Sequence, residues 1–137
     1  MRSETIAFAA ADPAAVVAAV DARGWVNLRP DVDDLPPPPR GWFGNVFSNS
    51  GPAVPMATWH PGERLAGIEH GTGSRLGGRA PVPPGWRVVQ DHPRRGFVVH
   101  VPQAVTEAEV VRWLVELGEA LSPVPTGGRW TAEVFSP

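Results

Sequence analysis

The 137-residue chain contains no cysteine and no tyrosine, and all twelve of its basic residues are arginine. Without cysteine there can be no disulfide, thiol nucleophile, iron–sulfur cluster or cysteine-ligated zinc. Without lysine there is no Schiff base and no phosphate-loop lysine, so the possible bases and nucleophiles reduce to His, Asp, Glu, Ser and Thr. No apolar run approaches the roughly 20 residues that a membrane-spanning helix needs. The small, apolar stretch near the start is broken by Asp12-Pro13, and Arg2 is offset by Glu4, so no secretory leader is expected and the chain reads as cytoplasmic. A net charge of −2, with only 19% charged residues, argues against a general nucleic-acid or membrane-surface protein.

What is present suits one domain spanning residues 1–137, since 42% hydrophobic residues and six tryptophans can fill a core without metal or disulfide. The stretch Trp86 to Leu121 carries the clearest signals. Trp86–Gln90 and Gly96–Val101 are short runs rich in Val, Trp and Phe, joined by the turn-forming Asp91-His92-Pro93-Arg94-Arg95. Thr106 and Glu109 have capping-box spacing, and behind them Val110, Leu114, Leu117 and Leu121 fall on one helical face.

Earlier in the chain, Glu4–Ala9 reads as a strand. Asp12 followed by Pro13 predicts a helix running to about Arg23, with Val16, Val17 and Val20 facing the core and Gly24 as its stop. Trp25–Leu28, Trp42–Phe47, Val54–His60, Leu65–His70 and Trp130–Phe135 read as further strands, the fourth and fifth of these six spans from Glu4 onward pairing as a hairpin. Pro36–Pro39 must be extended, a stiff connection rather than a sheet member. Asp31, Asp33 and Asp34 lack the spacing and distal Glu of a calcium loop. The two ends of the chain both read strand, capped helix, strand. The expectation is an α+β fold: a mixed, mostly antiparallel sheet of six to eight short strands with two helices packed on one face.

Charge is unevenly spread. Residues 70–100 hold five Arg (75, 79, 87, 94 and 95) against Asp91 alone, while residues 1–34 and 101–137 are each net acidic by three. This basic island overlaps 70–85, where five Gly and three Pro in sixteen residues predict a long loop. Guanidinium forks and glycine-rich backbone amides suit phosphate or carboxylate. Arg75, Arg79, Arg94 and Arg95, with the backbone of Gly71 and Gly73, are therefore the candidate ligand-binding residues for a small anion. The dinucleotide fingerprint is incomplete, because Leu76 stands where glycine is wanted.

Four histidines remain. His60 and His92 each precede proline at a strand end, and Asp91 adjoins His92, which makes these three the candidates for acid–base catalysis. Their spacing does not favour it: neighbours in a strand point to opposite faces, and there is no metal-binding or nucleophile-elbow motif. No metal site and no cofactor are expected. Trp113 reads as core.

The core Gln90-Asp91-His92-Pro93-x-Arg95-Gly96, with the following strand, helix and Pro123-Val124-Pro125, resembles a family of small proteins of high-GC actinobacterial genomes that carries no assigned activity. The resemblance implies no catalytic residues. The first expectation for function is a non-catalytic domain that binds a protein partner or a second copy of itself, supported by the wealth of Trp and Arg. The alternatives are a binder of a small anionic ligand through residues 70–96, or an enzyme using His92 or His60 with arginine.

Overall fold

A computed structural model describes residues 1–32 and 54–137. The elements are β1 (Arg2–Ala9), α1 (Ala14–Ala19), β2 (Trp25–Pro30), β3 (Met56–His60), β4 (Leu65–Glu69), a 3₁₀ turn (Gly77–Arg79), β5 (Arg87–His92), β6 (Gly96–His100), α2 (Glu107–Leu121) and β7 (Arg129–Ser136). The expected strand Trp42–Phe47, the polyproline run Pro36–Pro39, and Asp33 and Asp34 lie outside the described residues.

Among the described residues seven strands form one open sheet in the order β1-β7-β2-β3-β4-β6-β5. All six pairings are antiparallel. The α+β class holds, with two helices on one face. Among the described strands the parallel component suggested by the two terminal strand–helix–strand units is absent, because other strands stand between their members. β7 inserts between β1 and β2, pairing over eight residues with the first (Arg2 opposite Ser136 to Ala9 opposite Arg129) and six with the second (Trp25 opposite Phe135 to Pro30 opposite Trp130).

Period-two alternation makes one face the core. Val26 and Leu28, Ala57 and Trp59, Ala66 and Ile68, Phe97 and Val99, and Trp130, Ala132 and Val134 are buried. Against them α2 lays Val110, Val111, Trp113, Leu114, Val115 and Leu117. At about 1.5–3 kcal/mol per large apolar side chain removed from water, this layer carries most of the stability. The hydroxyl half of the capping box forms, the Glu109 amide donating to Thr106 Oγ1 at 3.2 Å.

α1 is shorter than its sequence suggests. It ends at Ala19, with Val20 extended. The cause follows immediately: the Asp21 carboxylate accepts from the Arg23 amide at 2.8 Å, and the Gly24 amide donates to the Asp21 carbonyl. That local turn competes with helix for the same backbone groups. Of the three valines expected inward, Val16 is fully buried and Val17 and Val20 only partly.

Residues 70–85 form a packed cover rather than a free loop. Leu76 and Ala80 are buried, the Trp113 indole donates to the Pro81 carbonyl at 2.8 Å, and Trp86 meets Trp113 edge-on at 5.1 Å. Gly96, at φ +94°, closes the β5–β6 hairpin where a Cβ would lie 2.4 Å from the Ile68 carbonyl oxygen. No helix among the described residues is long and apolar enough to cross a membrane.

Candidate functional site

The basic island does not converge. Asp91, expected in the turn, lies in β5 opposite Phe97, on the helix-covered side. There its two carboxylate oxygens accept from the backbone amides of Leu76 and Gly77, at 2.8 and 2.9 Å. The glycine-rich loop thus turns its amides toward an anion, and that anion is the chain's own. Burial would raise the Asp91 pKa, but the two amides and the positive charges of Arg75 and His70 outweigh it, so the carboxyl is held below its usual range. Gly71 and Gly73 take positive φ and shape the loop around His70.

His70 was not singled out by the sequence. It is 4% exposed, its Nδ1 accepts from the Thr72 amide at 3.3 Å, and Thr72 Oγ1 lies 2.8 Å from the same nitrogen. The opposite ring nitrogen, Nε2, is buried with no hydrogen-bond partner among the described residues. Desolvation lowers the His70 pKa, with Asp91 opposing and Arg79 adding to the fall. No motif announces this residue; its burial comes from a loop folding over a strand end.

The catalytic candidates are separated. His92 Nδ1 accepts from the amides of Arg94 and Arg95, at 3.0 and 3.1 Å, which makes it the cap of the β5–β6 turn. His60 lies on the other face of the sheet from Asp91, stacked on Trp25 at 6.2 Å between centroids. Among the described residues no three His, Asp or Glu side chains cluster as metal ligands would.

The other face of the sheet carries what the sequence reading missed. Ladder partners on either side of the Trp25–His60 stack align Phe135, Trp25, His60, Leu65, His100 and Arg87 in one row across it, Trp25 and Phe135 stacking at 4.6 Å. Over β3, β4 and β6 this face sinks into a groove of about 310 Å³. Its floor is Met56, Leu65, Gly67 and Val98; its rim is His60 and Glu63 at one end, and Glu69 and Arg95 at the other. Arg95 is the only member of the basic island that reaches it. Arg75 and Arg79 belong to the loop side near Asp91 and His70, and Arg94 is exposed in the turn. The alternation of MATWH and LAGIE across their hairpin was the available signal: Met56, Thr58 and His60 share a face with Leu65, Gly67 and Glu69.

No family model, no curated protein and no solved structure matches the chain.

Proposed function

We propose a non-catalytic binding domain whose site is the groove over β3, β4 and β6. The observation that carries this reading is an apolar floor with unpaired charges at its rim: Glu63, Glu69 and Arg95 enter no ion pair among the described residues. A volume of about 310 Å³ stands at the low end of small-molecule sites, so a small ligand fits it best. The same rim argues against a plain anion held by the 70–96 segment, because one arginine faces two glutamates. The enzymatic alternative loses support too, since Asp91 and the Nδ1 of His92 are engaged by backbone amides.

The test is thermal denaturation against a panel of short peptides, carboxylates, phosphates and amines, in the wild type and in Val98→Trp, which fills the groove floor. A ligand at a hundred times its dissociation constant adds about 2.7 kcal/mol, a shift on the order of 10 °C for a domain this size. Stabilisation present in the wild type and lost in Val98→Trp supports the groove. A flat panel, or equal shifts in both proteins, overturns it.

A second reading is favoured by the Trp25–Phe135 stack, which lies half-buried on the same face beside the groove. In this reading a second copy covers the aromatic row. Seven strands about 4.8 Å apart and some 20 Å long give a face of roughly 30 by 20 Å, enough for a modest symmetric interface. Light scattering on the eluted protein should then report a dimer, and Phe135→Asp a monomer. A monomer at all concentrations removes this reading and leaves the first untouched.

A further inference from the structure

We infer that the groove takes a short peptide with free ends, its carboxylate on Arg95 and its ammonium on Glu63. This deepens the binding reading above and rests on it. The register sets the geometry. His60 pairs with Leu65, Thr58 with Gly67, and Met56 with Glu69, so the groove runs along the strands from the Glu63 turn to the Glu69–Arg95 end. From Leu65 to Glu69 is four strand steps, about 13 Å, which matches an extended peptide of three or four residues.

The charges choose between ligand classes. Any carboxylate or phosphate entering at Arg95 has Glu69 beside it, but a second negative charge would also meet Glu63, and among the described residues the rim holds no second arginine. A diamine meets the two glutamates but also Arg95. A zwitterion with its charges at opposite ends puts each against an unpaired group of opposite sign. Between those ends Met56, Leu65 and Val98 offer apolar contact to alternate side chains of an extended chain. Gly67 lies at mid-floor, where a Cβ would stand 3.1 Å from a Val98 methyl, so only glycine keeps that part of the floor open. Thr58 Oγ1 donates to the Asn27 side chain at 3.0 Å and keeps its acceptor lone pairs free for a ligand amide.

The experiment is calorimetric titration of the whole chain with tetra-alanine, its N-acetyl form and its C-terminal amide. Each cap should weaken binding to the wild type about fivefold, the size expected for one charge pair at an exposed rim. Glu63→Gln should abolish the penalty for N-acetylation and keep that for amidation; Arg95→Gln should do the reverse. Both glutamate and arginine are surface residues, so these variants fold. Caps that cost nothing, penalties indifferent to the variants, or no binding of any form overturn the inference. The groove itself is judged separately by Val98→Trp. A different panel ligand lost in that variant leaves the groove standing without the peptide, whereas tetra-alanine binding unaffected by it would put the peptide elsewhere and sink both.

Discussion

The Asp91 carboxylate accepts the Leu76 amide at 2.8 Å, tying the middle of the glycine-rich loop to the edge strand β5. The neighbouring Gly77 amide donates to the second oxygen. Two charge-assisted bonds therefore hold the cover that buries Leu76 and Ala80. Asp91→Ala should cost about 1–3 kcal/mol, read as a lower urea midpoint. It also leaves two convergent amides beside Arg75 without their anion, so inorganic phosphate should restore part of the loss in the variant and none in the wild type. Equal phosphate response in the two proteins would count against the amides as an anion nest. The depressed pKa adds a sign: stability from Asp91 is fully present above its ordinary value of 3.8 and is lost as pH falls through the lower folded value.

Gly118 sits inside α2, where glycine ordinarily costs a helix about 1 kcal/mol relative to alanine. A Cβ there would lie 2.4 Å from the edge of the Trp130 indole, which is fully buried. The indole has little freedom to yield, because its Nε1 donates to Glu119 Oε1 at 2.7 Å and Thr126 holds the same carboxylate. Overpacking of this kind costs about 1–3 kcal/mol and outweighs the gain in propensity. Gly118→Ala should thus lower the melting temperature by several degrees, against the rule for an exposed helical glycine. A rise would show that the indole can move aside.

The contrast between Thr106 and Gly118 shows what one sequence discloses. The helix start, its apolar face and the β3–β4 hairpin follow from spacing that neighbouring residues determine among themselves. The tie from Asp91 to Leu76 spans fifteen positions, and the close approach of Gly118 to Trp130 depends on where β7 enters the sheet. Asp91 misled the sequence reading for a definite reason: next to His92-Pro93 it looked like a turn residue, whereas β5 continues through His92 and its alternation aims the carboxylate at the loop. The groove was legible in principle from two alternating strands, but its rim needs Arg95 brought in from another hairpin, which no local pattern announces.

Arg64 is a cation only 7% exposed, and its backbone takes φ +56° in the β3–β4 turn. Its guanidinium donates to the carbonyls of Val101, Pro102 and Val105, lies 3.7 Å from Glu107, and sits 5.0 Å over the Trp59 ring. Three carbonyls of the segment leading into α2 thus share one donor group. Arg64→Ala should cost about 3 kcal/mol or more in chemical denaturation, since it takes the side-chain donor from all three carbonyls and the counter-charge from Glu107, leaving, among the described residues, Pro102 only the Val105 amide and Glu107 only the Trp59 indole. Glu107→Gln should cost much less. It keeps an acceptor for the Trp59 indole and removes only one ion pair whose acid is a third exposed. Comparable losses in the two variants would mean that the ion pair, not the carbonyl contacts, holds the segment.

His70 supplies a pH dependence whose sign can be fixed in advance. Its folded pKa lies below the ordinary 6.5 because burial disfavours the charged ring, more than Asp91 favours it. The unfolded chain therefore binds more protons than the fold between the folded value and 6.5. Stability from the neutral ring is fully present above 6.5 and falls away as pH drops toward the folded value. Urea midpoints should decline between pH 7.5 and 5.5. In His70→Asn the side-chain oxygen can replace Nδ1 as the acceptor for Thr72, and no proton is taken up, so the decline should shrink. Among the described residues buried Nε2 has no partner to relieve the charged ring, and the charges that act on the ring are those of Asp91 and Arg79. Replacing Arg79 with Gln should ease protonation and soften the decline, while Asp91→Asn should steepen it. A midpoint that changes equally with pH in wild type and His70→Asn would assign the dependence to other groups.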